Sequence, residues 1–288
     1  MHRFEYHAPT SLEEAVALLK EHGDGTKLLA GGTDLLVHMK EGGLHPPRVV
    51  SLHAVAGLDG ITFDDSDGLS IGSAVSMGDI EAHDTILQRY TALAEGAGIV
   101  GSVQTRSMAT IGGNIANAAP SADTAPPLAV FDAVAQIVGS GGSREVAVID
   151  LSDGPGSTVL AGDEVLTGFK LPAPPANTGS VYQRHTPRAI MDIAAVGVGV
   201  RLSLDGGNIG EARICLGAVA ATIIHAPEAE EALIGQPPSA ELFAKAAELA
   251  QAASSPISDV RGSAEFRRHL VGVMTKRCLD IALERAQS

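Results

Sequence analysis

The sequence predicts an α+β chain built in three successive regions. A small α/β unit covers residues 1–55, an α+β unit covers 56–175, and a three-stranded antiparallel sheet with a helix bundle covers 179–288. Three observations predict this. Near the start, an amphipathic helical run leads into a short strand and a glycine-rich corner. Through the middle, short strands mix with helical runs. At the end, a long hairpin pattern gives way to three helical stretches. The proline-rich stretch Leu171-Pro-Ala-Pro-Pro-Ala-Asn-Thr-Gly179 reads as the linker before the last region.

In chain order, Ser11-Leu-Glu-Glu14 is a capping box: Ser11 caps a helix and Glu14 reaches back. Leu12, Val16 and Leu19 follow at helical spacing, and Gly23–Gly25 ends the helix. Lys27–Ala30 reads as a strand, Asp34–Lys40 as a short helix and Arg48–Leu52 as another strand, with LLAGGTDLL at the strand-to-helix corner. In the second region ITFDDSDGLSIGSAVSM reads as two strands around an Asp-Gly turn. Helices are expected near 79–87 and 90–97, then a glycine-rich stretch without helical periodicity, an apolar helical run at 126–131, and strands around 133–139, 144–149 and 164–171. The third region offers strands at 180–184, 194–204 and 211–219, the last two joined by Asp205-Gly206-Gly207. Helices near 226–234, 239–253 and 261–286 complete it, the last with an expected packing stripe of Phe266, Leu270, Val273, Met274 and Ile281.

Bulk properties narrow the function. At 288 residues, with 45% hydrophobic and 19% charged residues, the composition is globular. No stretch approaches the roughly 18–20 apolar residues of a membrane span. The N-terminus has no secretory pattern, so a cytoplasmic protein is expected. A net charge of −14 argues against a nucleic-acid partner. Cys215 and Cys278 are isolated and read as small buried hydrophobes; no metal-spaced cluster of ligands appears.

Several familiar chemistries are missing. Gly96-Ala-Gly98-Ile-Val-Gly101 matches the dinucleotide fingerprint literally, but its context is helix before and irregular chain after, the reverse of what a pyrophosphate site needs. No phosphate-binding loop, zinc-protease motif or nucleophile elbow is present. What remains is two glycine-rich corners: Ala30-Gly31-Gly32-Thr33-Asp34, and Thr110-Ile111-Gly112-Gly113-Asn114 leading to Asn117-Ala-Ala-Pro-Ser121-Ala-Asp123. Paired glycines let backbone N–H groups approach an anion, and a helix start adds a favourable dipole. Either corner alone can be an ordinary turn; from separate domains, together they can clamp a diphosphate.

AGGTDLL followed by TIGGNIANAAPSAD resembles the FAD-binding medium subunit of the molybdenum hydroxylases, the carbon monoxide dehydrogenase and xanthine dehydrogenase family. The resemblance spans nearly the whole chain, from FEYHAPTSLEEAVALL through DEVLTGFKLP to the C-terminal flavoprotein domain. It implies a two-subdomain FAD-binding fold of the PCMH/vanillyl-alcohol-oxidase type with a third domain packed beside it. It also implies that Lys27, Leu28, Leu29, Ala30, Gly31, Gly32, Thr33, Asp34, Leu35 and Leu36 form the first FAD loop, whose backbone holds the pyrophosphate. Thr110, Ile111, Gly112, Gly113, Asn114 and Asn117 would form the second, with Asp123 contacting cofactor hydroxyls, Leu166 near the cofactor and Ile193 against the isoalloxazine without stacking. Ser107-Met108 are assigned no role.

By the same resemblance, a large molybdopterin subunit oxidises substrate and a small subunit with two [2Fe–2S] clusters passes electrons to FAD on this chain, in a dimer of heterotrimers. An external acceptor, whether quinone, cytochrome, NAD+ or oxygen, then takes them. No side chain here is assigned acid–base catalysis. Two alternatives stay open: a free-standing flavin oxidase with its own substrate pocket, and a non-redox assembly or regulatory protein of the same fold.

Overall fold

The computed structural model describes residues 2–23 and 25–288. In the first region, β1 (Glu5–His7), α1 (Leu12–His22), β2 (Thr26–Leu29), α2 (Leu35–Lys40) and β3 (Arg48–Ser51) build a parallel sheet in the order β1-β3-β2. The α1 cap forms as the sequence requires, Ser11 Oγ accepting from Glu14 N–H at 3.2 Å; Glu14 Oε2 reaches one residue further back, to Thr10 N–H at 3.0 Å. The helix stops at His22, with Gly23 left-handed at φ +59°. Asp24, within the expected helix stop, lies outside the described residues.

The second region runs β4 (Ile61–Asp64), β5 (Gly68–Gly72), α3 (Met77–Ala82), α4 (Asp84–Arg89), α5 (Thr91–Gly98), α6 (Val103–Arg106), α7 (Ile111–Ala116), α8 (Ala125–Val130), β6 (Val134–Gly139), β7 (Gly142–Ala147), β8 (Ser152–Gly154), β9 (Ser157–Thr158) and β10 (Val165–Leu171). Its main sheet is antiparallel in the order β4-β5-β10-β6-β7. Two expectations are corrected here. The helix expected at 79–87 is broken at His83, whose extended backbone ends α3 and starts α4. The stretch after Gly101, expected to be irregular, holds α6 and α7, because Ser102 and Thr110 each cap a short helix through the side-chain oxygen. A four- or six-residue helix is too short to show a 3.6-residue period.

The third region comprises β11 (Thr178–His185), β12 (Val196–Asp205), β13 (Asn208–Gly217), β14 (Ile224–His225), α9 (Pro227–Leu233), α10 (Ala240–Ala253) and α11 (Ala264–Gln287). The expected three-stranded sheet gains the two-residue β14 at its edge, in the order β11-β12-β13-β14. The stripe on α11 is met in part: Met274 is buried and Leu270 and Ile281 pack partly buried against the same core. Its buried residues are Arg267, Val271, Met274, Thr275, Cys278, Leu279, Ala282 and Ala286, while Phe266 is 42% exposed. Toward its end the helix buries small residues, Ala282 and Ala286, where β11 comes close: a Cβ on Gly179 would lie 2.0 Å from the Ala282 carbonyl oxygen.

Three buried clusters hold the molecule together. One lies under α1 and β3, one fills the second region around Tyr90, Phe131 and Phe169, and one lies between the third sheet and its helices. Strand alternation in β10 links the first two, since Val165 points into the first cluster and Leu166 into the second. Both cysteines are fully buried as small hydrophobes, and burial pushes the Cys278 thiol up to about 12. Among the described residues, no helix is long and apolar enough to cross a membrane.

Candidate functional site

The two glycine corners meet in space. A Cβ on Gly31 would lie 2.0 Å from the Met108 carbonyl oxygen and 2.9 Å from Ala109 Cα, so only glycine lets the first corner touch the chain entering the second. Met108, assigned no role from sequence, therefore sets the distance between the corners through its main chain.

In the first corner, the chain leaves β2 at Leu29 and turns through Ala30–Asp34 into α2. Gly32 adopts φ +71°, which a side chain would strain. Its missing Cβ would face Leu29 and Leu36 side-chain carbons at 2.9 and 3.1 Å, so a substituent there would press inward on its own corner. Asp34 makes no side-chain cap, and α2 begins one residue later than expected. Among the described residues, no protein acceptor takes the backbone N–H of Gly31, Gly32, Thr33, Asp34 or Leu35. Gly31, Gly32, Thr33 and Leu35 are half-buried, and Leu28, Leu29, Ala30 and Leu36 flank them half-buried, with Lys27 exposed. A half-buried row of donors without acceptors is a ready anion cradle.

The second corner is built differently. Thr110 Oγ1 accepts from Gly113 N–H at 3.1 Å, Ile111 N–H donates to Val75 O at 3.0 Å, Gly112 N–H to Ser73 O at 2.9 Å, and Asn114 N–H to Thr110 O at 3.0 Å. Every backbone donor from Ile111 to Asn114 is thus occupied, which corrects the expectation that both corners offer main-chain N–H groups. Gly112 is glycine for internal packing, since its Cβ would lie 2.5 Å from Ser73 Cβ; Gly113 meets only its own cap, Thr110 Oγ1, at 3.0 Å. This corner presents side chains instead. Asn114 Oδ1 accepts from Thr124 Oγ1 at 2.6 Å, which fixes its amide and leaves the NH2 as a donor. Asn117 closes α7 half-buried.

Asp123 is buried, 6% exposed, and both oxygens have protein partners. The Tyr182 hydroxyl donates to Oδ1 at 2.9 Å and the Arg184 guanidinium donates to Oδ2. Burial pushes the Asp123 carboxyl up to about 6, with Arg184 and then Tyr182 pulling the other way. Both partners stand on β11. The third domain therefore does more than pack beside the site: it supplies the groups that hold a predicted site residue. Sequence reasoning missed Tyr182, Arg184 and Met108. The one available signal was chemical: Asp123 sits in a largely apolar stretch with no cation near it in sequence.

The remaining predicted residues are spread out. Leu166 is buried in the main core where β10 shifts register, between Leu166 and Gly168. Ile193 is 49% exposed on the loop from β11 to β12, beside exposed Ile190 and Met191. A small apolar cavity lined by Ile115, Ala118, Ala122, Leu151 and Ile223 lies behind the second corner. No acid–base or nucleophilic cluster lies among these residues, so the arrangement suits holding an anionic ligand rather than bond-making by protein side chains.

Fold and site together are those of a protein that binds an anionic ligand in a glycine-built corner. Comparison with known proteins makes this specific. Residues 2–174 match the family described as FAD binding domain in molybdopterin dehydrogenase, and residues 182–282 match the CO dehydrogenase flavoprotein C-terminal domain. The xanthine dehydrogenase FAD-binding subunit of Escherichia coli O157:H7 is 35% identical over 283 residues, 98% of this chain and 96% of that protein. The carbon monoxide dehydrogenase medium chain of Afipia carboxidovorans is 34% identical, covering 99% of this chain and 98% of that protein. Among solved structures, carbon monoxide dehydrogenase from Hydrogenophaga pseudoflava lacking the Mo-pyranopterin moiety superposes with a TM-score of 0.95 at 35% identity, covering 99% and 98% of the two chains. Quinoline 2-oxidoreductase from Pseudomonas putida 86 gives 0.92 at 30% identity, covering 100% and 99%. The chain belongs to the family of FAD-binding subunits of the molybdopterin dehydrogenases.

Proposed function

We propose that this chain carries FAD as the electron-transfer subunit of a molybdenum hydroxylase. The observation that carries the reading is the row of N–H groups from Gly31 to Leu35, half-buried except at Asp34 and without a protein acceptor among the described residues, beside the second corner at the Gly31–Met108 contact. The first corner fits a pyrophosphate, whose oxygens would accept from those donors. Asn114 would add a side-chain donor, and Asp123 would add an acceptor for cofactor hydroxyls. Leu166 and Ile193 would exclude water near the ring system. Bound FAD would supply the electron chemistry, taking electrons from [2Fe–2S] clusters on a small partner subunit and releasing them to an external acceptor.

Substrate oxidation belongs in this reading to a large molybdopterin subunit, in a dimer of heterotrimers in the cytoplasm. The division at residues 55/56 and 175–179 separates two cofactor-binding subdomains from the C-terminal domain.

The test is purification of the tagged chain alone and from its native host. Alone, the chain should take up FAD and hydroxylate no substrate. From the host, it should bring iron, molybdenum and two further polypeptides with it. A colourless protein that takes up no FAD refutes the assignment, and so does substrate turnover by the isolated yellow chain.

A further inference from the structure

The domain that lies last in the chain makes a set of contacts that the cofactor loops alone do not explain. Asp123 and Arg184 side chains are each only 8% exposed, and they pair across the boundary between the second and third regions. The Asp123 main chain is pinned as well: a Cβ on Gly96 of α5 would lie 2.5 Å from the Asp123 carbonyl oxygen. Helix α5 is in turn fixed to β11, with Tyr182 N–H donating to Glu95 Oε2 at 2.8 Å and Ala92 N–H to Ser180 Oγ at 3.1 Å. Arg285, near the chain's end, bonds Glu95 Oε1 and the Ser180 carbonyl, both at 2.6 Å.

A second anchor lies three residues earlier. Ala218 N–H donates to Pro120 O at 2.7 Å, from a left-handed backbone at φ +63°. The buried Arg267 guanidinium holds the Ala218 carbonyl at 3.1 Å. From Asp123 the contacts continue toward the second corner, because its neighbour Thr124 bonds Asn114.

We infer that Arg184 and Tyr182 are positioning residues of the cofactor site: by holding the Asp123 carboxylate they set the 117–124 loop, and through Thr124 the Asn114 amide, in the arrangement that receives FAD. The inference rests on the FAD reading above. Its physical basis is that a buried carboxylate keeps its charge and direction only while its partners remain. Removing Arg184 leaves Asp123 facing the Tyr182 hydroxyl alone, with the Glu95 carboxylate and the buried Cys215 as the other ionisable groups around that tyrosine. The carboxyl then takes a proton and donates where it had accepted.

The test is FAD titration by flavin fluorescence on the full-length chain, with a thermal melt of each variant. The set is wild type, Arg184→Met, Arg184→Lys, Asp123→Asn, and the double variant Asp123→Asn/Arg184→Met. Arg184→Met should weaken FAD about tenfold or more, the scale of a lost charge-assisted hydrogen bond. Arg184→Lys should recover most of the affinity, and the double variant should bind no more weakly than Asp123→Asn alone. Unchanged affinity in Arg184→Met, or losses that add in the double variant, overturns the inference while the FAD reading stands. Failure of the wild-type chain to bind FAD overturns both. If Arg184→Met does not fold, the double variant, which has no unpaired buried charge, still gives the comparison with Asp123→Asn.

Discussion

From Gly31 to Leu35 the backbone N–H groups have no protein acceptor among the described residues, whereas from Ile111 to Asn114 each one is already bonded within the chain. In sequence the two read alike: a strand or turn, paired glycines, then a small polar residue. The difference lies in what each glycine is next to. Gly31 and Gly112 bring one stretch of backbone against another, Gly32 supplies a left-handed turn over leucine side chains, and Gly113 meets only the hydroxyl of its own cap. Paired glycines therefore announce close approach, and only the three-dimensional neighbours say whether a ligand or the protein itself does the approaching.

The comparison breaks most sharply at Gly31. Gly31→Ala must displace the Met108 carbonyl, an overpacking cost of about 1–3 kcal/mol or more, and it pushes the two corners apart. Both a lowered melting temperature and loss of FAD in a flavin titration are expected; wild-type affinity would show that the corners need not touch.

The second corner allows a finer division. Gly112→Ala should cost stability on a similar ~1–3 kcal/mol scale, because Ser73 backbone and Cβ lie within 2.6 Å of the new atom. Gly113→Ala should fold nearly as well as wild type. There the helix gains roughly 0.5–1 kcal/mol from replacing glycine, against one tight 3.0 Å contact with its cap. Its FAD affinity should fall roughly tenfold, the equivalent of about 1.4 kcal/mol. If instead Gly112→Ala melts like wild type, the assignment of internal and ligand-facing glycines is reversed.

The smallest effect is a pH dependence. Burial raises Asp123 above the value of an unfolded aspartate, to about 6. Its stabilising contribution is then fully present below pH ~4 and lost as pH rises through 6. Between those limits the stability of wild type relative to Asp123→Asn should decline with rising pH in urea titrations. A flat or rising difference would mean that Arg184 outweighs burial and keeps the carboxylate ionised throughout.

How far the sequence reveals this molecule follows from the range of each signal. The capping box at Ser11, the glycine pairs and the Asp205-Gly206-Gly207 turn are local, and each lies in the structure where local chemistry puts it. The two motifs are legible because Gly31 and Gly112 stand where a Cβ would collide with backbone and Gly32 where φ is +71°. By contrast, α6 and α7 are too short for periodicity to register, and the small residues buried near the end of α11 lie where a strand comes close that the helix sequence cannot see. Arg184 is separated from Asp123 by sixty-one residues, and Met108 acts through its carbonyl, which every residue type possesses. Those features depend on tertiary approach, so a residue-by-residue reading has nothing to detect.

The placement of Arg184 and Arg285 also sets a schedule for the protein's birth. Chains are made from the N-terminus and domains close as they emerge. The loop carrying Asp123 leaves the ribosome well before β11, and before the final helix that ties β11 to Glu95. A nascent chain therefore holds both glycine corners while Asp123 still faces water, and chains stalled ahead of residue 184 should be cut by protease within 117–124. Full-strength cofactor binding is accordingly expected only once β11, and with it Arg184, has joined the loop.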